Sequence, residues 1–185
     1  MAHSIVKPSF NFTPILLTFL ISFSIFSSSS LCSARTVQIS DICSKHPNPY
    51  NCATILNSVP GATLGADLTS LTKYIILNAH VYAFDTITLI HNLVGSTSDI
   101  QLKQRYQACS MEYNDVLLSL SQAQQSFVSG DYRGIKSNAA TALKDIQDCD
   151  WKPGSDHSDL PNKNKYLEDV TNIIIILADF LAGIY

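Results

Sequence analysis

The sequence predicts an all-α protein: an antiparallel up-down four-helix bundle with an N-terminal helical hairpin and two disulfides. Three observations predict this class. Apolar residues recur three and four positions apart along four long segments, as on the buried face of a helix. Stretches rich in Gly, Pro, Ser and Asp separate these segments, and no alternating pattern of apolar and polar residues predicts a strand.

Residues 1–34 are predicted to be a signal peptide that is removed before the domain folds. An apolar run over 15–26 follows a weakly basic start, and small residues at Cys32 and Ala34 suit cleavage before Arg35. The alternative is an uncleaved membrane anchor, but the run is short and is diluted by serine and threonine. We therefore expect a secreted protein that has no membrane association after cleavage.

Cleavage leaves 151 of the 185 residues, enough for one domain with a sizeable core. The formal charge changes from −3 to −4, because Lys7 is removed and no acidic residue is. A mildly acidic domain without a basic patch argues against a nucleic-acid partner and against binding to anionic membranes. The charge is compatible with a basic protein partner.

The mature domain is predicted to span residues 35–185, with the helical hairpin over 35–63 and the bundle over 64–185. In the hairpin, Pro47 and Pro49 would end one short helix and start the next.

The first two bundle helices are separated by a short turn after Gly95, where Ser98 or Asp99 would cap the second helix. Gly130 is predicted to end the second helix, and Asp131 to cap the third. Alternating steps of four and three in the second helix are typical of an antiparallel bundle seam. The two stripes comprise Leu68, Leu71, Ile75, Ala79, Tyr82, Thr86, Leu89 and Leu93, and then Leu102, Tyr106, Cys109, Tyr113, Val116, Leu120, Ala123 and Phe127.

The third and fourth helices are predicted to flank a loop over 150–164 that is rich in Pro, Gly and Asp. A run of isoleucines in the fourth helix is too short to span a membrane and is bracketed by Asp169 and Asp179, so a buried bundle helix is expected. The stripes comprise Tyr132, Ile135, Ala139, Ala142, Ile146 and Cys149, and then Leu167, Val170, Ile174, Leu177, Leu181 and Ile184.

Four cysteines remain after removal of the signal peptide: Cys43, Cys52, Cys109 and Cys149. An even number in an oxidising compartment predicts two disulfides, for which counting allows three connectivities. A metal site is not expected, because the gap between the first two cysteines is wider than a usual clip and only His46 lies nearby. A catalytic redox pair would need Cys-x-x-Cys spacing.

The helical stripes select one of the three connectivities. Cys109 and Cys149 both lie on inward seams, 21 residues before and 19 residues after Gly130, so an antiparallel pair of helices places them level. This predicts Cys109–Cys149 and, by elimination, Cys43–Cys52.

No catalytic residue, cofactor or metal ligand set is predicted. The motifs of metalloproteases, serine hydrolases, P-loop proteins and dinucleotide-binding proteins do not occur in the sequence. His80 and His91 would share a helix face but lie about 16 Å apart, too far to share a metal. Two groups of carboxylates, Asp145 with Asp148 and Glu112 with Asp115, are expected on outward faces, either simply solvated or as an acidic contact surface.

The cysteine spacings of nine and forty in an exported, all-helical chain resemble those of the plant inhibitors of invertase and pectin methylesterase. This is a family of four-helix bundles with an N-terminal helical hairpin. The resemblance covers residues 40–184 and is carried by ICSKHPNPYNC (42–52), LKQRYQACSMEYNDVLLSLSQAQQSFVSGDY (102–132) and ALKDIQDC (142–149).

The resemblance implies a protein that performs no chemistry and instead docks on a carbohydrate enzyme of the cell wall (apoplast), obstructing its substrate cleft. It also implies pairing of the first cysteine with the second and of the third with the fourth. For methylesterase inhibitors it places the docking face on the helices that the third and fourth cysteines join. The matching positions here are Glu112, Tyr113, Asp115, Asp131 and Asp148, whereas Met111 and Leu118 depart from the expected polar or acidic residues.

The resemblance also bears on the target. Invertase inhibitors carry Pro-Lys-Phe shortly before the third cysteine, where residues 100–102 of this chain read Ile-Gln-Leu. A pectin methylesterase inhibitor is therefore predicted. The alternatives are an inhibitor of cell-wall or vacuolar invertase and a non-inhibitory helical interaction protein, and the sequence leaves the oligomeric state open.

Overall fold

The structure is a computed structural model that describes residues 35–62, 66–149 and 156–185. The predicted signal peptide, the predicted boundary between residues 63 and 64, and the first part of the loop over 150–164 lie outside these ranges. The elements are β1 (Thr36–Val37), α1 (Ile39–Cys43), α2 (Pro49–Asn57), β2 (Ala66–Asp67), α3 (Leu68–Ser96), α4 (Ile100–Ser129), α5 (Tyr132–Cys149) and α6 (Leu160–Leu181).

The four long helices form the predicted bundle. Helices α3, α4, α5 and α6 each pack against their neighbours in the chain, and α6 closes the ring against α3. The core is made mainly by the predicted stripes, because one face of each helix is apolar and is removed from water only inside the ring. Its fully buried members include Leu68, Ile75, Tyr106, Tyr113, Leu120, Ile135, Ile146 and Leu167. Ile184, the last predicted member of the fourth stripe, lies beyond the end of α6 and is 62% exposed, so its prediction was wrong.

The helix ends follow the predicted capping residues. The side chain of Asp99 accepts a hydrogen bond from the main-chain N–H of Leu102 at the start of α4. Gly130 ends α4 in the left-handed conformation with φ 73°, which glycine adopts without steric penalty. The Oδ1 atom of Asp131 then accepts from the N–H of Gly134 at 2.9 Å, which starts α5.

Two predicted boundaries were wrong. The loop predicted over 150–164 ends earlier, since α6 already begins at Leu160. Pro161 lies in the first turn of α6, where its missing N–H needs no partner, so this proline belongs to the helix and not to the loop. Helix α3 also continues one residue past Gly95.

The hairpin consists of α1 and α2 and is closed by Cys43–Cys52, with a Cα–Cα distance of 5.5 Å. Pro49 occupies the first turn of α2, as predicted, and the side chain of Asn48 accepts from the N–H of Asn51 to cap that helix. A two-residue antiparallel ladder, with Thr36 opposite Asp67, adjoins the hairpin. A ladder of this length was not predicted, because two residues show no periodicity.

The hairpin is attached to α6 by buried polar contacts. The Nε2 atom of His46 lies 3.0 Å from the main-chain oxygen of Asp169, and His46 is 4% exposed. The side-chain amide of Asn51 donates to Oδ2 of Asp169 at 2.9 Å, and Lys165 Nζ lies 3.5 Å from Oδ1 of the same carboxylate. His46 therefore has a structural role in joining the two parts of the fold.

The described helices lack the features of a membrane span. None of them combines the length and the apolar character that crossing a bilayer requires. The isoleucine-rich part of α6 instead packs inside the bundle, where Ile173, Ile174 and Leu177 are fully buried.

Candidate functional site

The candidate site lies on α4 and α5, which are joined by the Cys109–Cys149 disulfide. The Cα atoms of the two cysteines lie 4.9 Å apart, and each cysteine is 1% exposed. The bond lies on the inward seams, as the helical stripes predicted, and holds the two helices level with each other. This alignment brings Glu112 on α4 beside Asp145 on α5.

Three carboxylates meet across the two helices. Glu112, Asp145 and Asp148 can each place one oxygen within 4.8 Å of the others. Asp148 and Asp115 are exposed, whereas Glu112 and Asp145 are half-buried. Together these four residues form what we term the acidic surface.

Burial and mutual repulsion act on the two half-buried members. Burial is the main cause that raises the pKa of Glu112, and repulsion from Asp145 and Asp148 adds to it. The pKa of Asp145 is raised for the same reasons, with burial first and Asp115 next. Lys144 offsets part of the negative charge, because its ammonium donates to Asp148 one turn away.

The sequence prediction for these carboxylates was partly wrong. Asp115 and Asp148 lie on solvated faces as expected, but Glu112 and Asp145 turn partly into the groove between the helices. The Oδ2 atom of Asp145 is buried and has no hydrogen-bond partner among the described residues. Asp145 was named with Asp148 as part of a possible acidic contact surface, but it was not among the contact positions that the resemblance implies.

Tyr113 does not belong to any contact surface, so this predicted position was wrong. Its side chain is 0% exposed, and its hydroxyl donates to Oδ1 of Asn164 on α6 at 2.7 Å. The physical reason is the seam pattern of α4, in which Tyr113 stands between Cys109 and Val116 on the inward face. A partner cannot reach this residue without unfolding the bundle.

Asp131 is exposed but lies apart from the acidic surface. It caps α5 in the turn after α4, whereas Asp115 lies fourteen positions before Ser129, which is about 21 Å of helix. The cap is also tightly packed: a Cβ on Gly134 would lie 2.3 Å from Oδ2 of Asp131. Asp131 is thus accessible to a partner only as a second, separate contact.

Two apolar side chains accompany the acidic surface on the outer face of α4. Met111 is 64% exposed and Leu118 is 56% exposed. They lie seven positions apart and therefore on one face of the helix. The outer face of α4 offers apolar contacts at two of the places where polar or acidic residues were expected.

The acidic surface has the donor type of a cation site but, within the described ranges, no further feature of one. Carboxylate oxygens at this spacing are the donors that hard divalent cations use. Surface carboxylates commonly adopt such spacing without an ion, and no other feature of the described residues points to a ligand. We assign neither a metal nor a cofactor to the site.

Comparison with known proteins identifies the family. The model of the family described as "Plant invertase/pectin methylesterase inhibitor" matches residues 37–177. A pectinesterase inhibitor of Actinidia deliciosa is 33% identical over 148 residues, covering 78% of this chain and 80% of that protein. Pectinesterase inhibitor 2 of Arabidopsis thaliana is 26% identical over 151 residues, covering 80% of this chain and 86% of that protein.

Solved structures share the fold. A mutant form of an Arabidopsis pectin methylesterase inhibitor superposes with a TM-score of 0.71 at 24% identity, covering 76% of this chain and 95% of the other. A second Arabidopsis pectin methylesterase inhibitor gives a TM-score of 0.61 at 24% identity, covering 77% and 95%. With its sequence matched over most of its length and its fold shared, the chain belongs to the plant invertase/pectin methylesterase inhibitor family, a family of enzyme inhibitors and not of enzymes.

Proposed function

We propose that this protein is a secreted inhibitor of pectin methylesterase that docks through α4 and α5 and blocks the substrate cleft of the enzyme. The relatives named pectinesterase inhibitors support the kind of target. The observation that carries the docking face is the acidic surface, which two disulfide-joined helices present in a fixed arrangement.

The rigidity of this face favours docking. Both helices are braced by a buried disulfide and by the seam between them, so little conformational entropy is lost when a partner binds. Met111 and Leu118 add apolar area, and the surrounding carboxylates would set the orientation and the salt dependence of the complex.

The electrostatics of the surface favour a cationic partner group. Burial is the main cause that raises the pKa values of Glu112 and Asp145, and repulsion from neighbouring carboxylates adds to it. A Lys or Arg side chain of a partner, placed against the accessible part of these carboxylates, would offset their negative charge. Docking is therefore expected to use a basic group of the enzyme at this point.

Pectin methylesterase is favoured over invertase as the target. Residues 100–102 form the first turn of α4 and read Ile-Gln-Leu, without the Pro-Lys-Phe sequence expected of invertase inhibitors. The predicted signal peptide supports secretion, which would bring the protein to the cell wall where pectin is found.

The test is an inhibition assay of the purified protein against pectin methylesterase and invertase side by side. Inhibition of the methylesterase alone is expected. Inhibition of invertase alone, or of neither enzyme, would overturn the assignment of the target.

The docking face is tested with the double variant Asp115→Lys and Asp131→Asn. Asparagine keeps the helix cap of α5 while removing its charge, so the melting temperature should be unchanged. We expect inhibition to weaken by about tenfold or more, as for charged contacts at an interface. Asp41→Lys, an exposed charge reversal on the hairpin, is the control and should leave inhibition intact. Full inhibition by the double variant would place the docking face elsewhere.

A further inference from the structure

The outward face of α3 carries a row of apolar side chains that the proposed inhibition does not use. Tyr74, Leu77, Val81 and Phe84 are 42%, 39%, 60% and 59% exposed. Steps of three, four and three place them along one face for about three turns of helix. Single exposed apolar residues are normal, but a contiguous row marks an interaction site. We call this row the α3 stripe.

The α3 stripe is symmetric along the helix. Tyr74 and Phe84 each lie five positions from Ala79, and Leu77 and Val81 each lie two positions from it. Suppose that two copies of α3 pack antiparallel, with the two-fold axis passing at the level of Ala79. Tyr74 of one copy then lies level with Phe84 of the second copy. Leu77 is likewise level with Val81 of the second copy. Such a self-complementary patch is what an isologous dimer requires.

The charges of α3 follow the same symmetry. Lys73 and Asp85 are the only formally charged residues of α3, both are exposed, and each lies six positions from Ala79. The antiparallel arrangement brings Lys73 of one copy to the level of Asp85 of the other, whereas a parallel arrangement would bring like charges together. Neither residue forms an ion pair within the described part of the chain.

A hollow adjoins one end of the α3 stripe. Ser70 and Tyr74 line a cavity of about 310 Å³ between α3 and the segment 59–62. In the antiparallel arrangement this cavity lies at the level of Phe84 of the second copy. An exposed aromatic ring of one copy would thus meet a concave part of the other, which favours a specific contact over a sliding one.

We propose that the protein self-associates through the α3 stripe into a two-fold symmetric dimer with antiparallel α3 helices. The proposal goes beyond inhibition and does not depend on it, since the acidic surface lies on α4 and α5. Four apolar side chains of one helix cover only part of the roughly 800 Å² per partner of a standard interface. The association is therefore reversible and depends on protein concentration.

The first test is sedimentation velocity of the purified, disulfide-bonded protein over a range of concentrations. The weight-average mass should rise from that of one chain towards that of two. Phe84→Glu and Val81→Glu should each raise the dissociation constant by about tenfold or more. Both positions are exposed, so circular dichroism and the melting temperature should not change. Tyr50→Glu on the hairpin, which is 80% exposed, is the matched control and should associate like the parent.

A charge exchange then tests the antiparallel arrangement. Lys73→Glu and Asp85→Lys should each weaken the dimer, because each places like charges at one level. An equimolar mixture of the two single variants should regain association, and so should the double variant, which restores opposite charges in every pair.

Any of four results would overturn the proposal. The first is a parent protein that stays a single chain at the highest concentration reached. The second is a dimer that tolerates Phe84→Glu. The third is a double charge variant that associates no more strongly than the two single variants. The fourth is binding of a different protein to the α3 stripe by a chain that does not self-associate, since the stripe would then bind that protein and not a second copy.

Discussion

The hydroxyl of Tyr113 on α4 donates a hydrogen bond to Oδ1 of Asn164 on α6, at 2.7 Å and out of contact with solvent. The same amide group lies near the sulfur of Cys149, with its Nδ2 atom 3.5 Å from Sγ. One polar contact in the core thus brings together α4, α6 and the end of α5, next to the disulfide.

Tyr113→Phe removes this hydrogen bond without changing the shape of the side chain. We expect the free energy of unfolding to fall by about 1–3 kcal/mol, because a buried polar group of Asn164 loses a partner. Urea denaturation followed by circular dichroism measures the change. Inhibition of the target enzyme at a temperature where the variant is folded should be unaffected. A folded variant that no longer inhibits would return Tyr113 to the docking face.

The two disulfides should differ in their effect on stability. The loop-entropy relation assigns about 3.9 kcal/mol to Cys109–Cys149 and about 2.6 kcal/mol to Cys43–Cys52, because the first closes the longer loop. Replacing each pair by alanine and measuring urea denaturation tests this order. A larger loss for the Cys43–Cys52 pair would mean that packing of the hairpin, and not loop length, sets its contribution.

Asp169→Ala should release the hairpin from the bundle. The carboxylate of Asp169 accepts from Asn51 and is 3% exposed, so its removal leaves the amide of Asn51 without this acceptor. Hydrogen exchange of the amides in α1 and α2 should become faster by an amount equivalent to about 1–3 kcal/mol. The core amides of α4 should exchange as before.

Glu168→Ala is the matched control for Asp169→Ala. Glu168 lies one residue earlier in α6, and among the described residues its carboxylate accepts hydrogen bonds from Lys165 and Gln147 and from no side chain of the hairpin. Faster exchange of the hairpin in both variants would show that a general loosening of α6, and not the contact with Asn51, is responsible.

The acidic surface should make stability depend on pH. Burial and repulsion raise the folded-state pKa values of Glu112 and Asp145. The folded protein therefore binds protons at these two carboxylates more tightly than the unfolded chain does. Their contribution therefore favours folding as the pH falls through the raised pKa values, and this contribution is lost as the pH rises above them.

Asp145→Asn removes one of the two repelling carboxylates. Its melting temperature should exceed that of the parent at pH 7, and the difference should shrink as the pH falls to about 4, where carboxyl groups become protonated. Asp41→Asn, which changes an exposed carboxylate of the hairpin, should show no such pH-dependent difference. A difference that stays constant with pH would point to packing and not to charge.

The bundle could be predicted because its signals are local. The steps of three and four identified which residues are buried, as at Ile75 and Leu120, and the capping residues Asp99 and Asp131 marked helix starts. The start of α6 was placed too late, because Pro161 is compatible with either a loop or a first helical turn. Packing of Leu160 into the core settles the choice, and that packing involves residues remote in sequence.

The candidate site was less predictable for the same reason. Sequence spacing put Glu112 and Asp145 on outward faces, but their half-burial depends on how closely α4 and α5 approach. The resemblance placed Tyr113 on a contact face, while the seam pattern of the same helix placed it in the core. The three-dimensional arrangement decided in favour of the seam.

The sequence by itself determined the helices, the bundle and the pairing of Cys109 with Cys149, since these follow from periodicity and spacing along one chain, and its resemblance to known inhibitors indicated the family. Only the tertiary structure decided which carboxylates meet, that His46 and Asn51 anchor the hairpin to Asp169, and that the α3 stripe stays exposed on the bundle. Burial and charge repulsion depend on distances between helices, and no pattern along a single helix contains those distances.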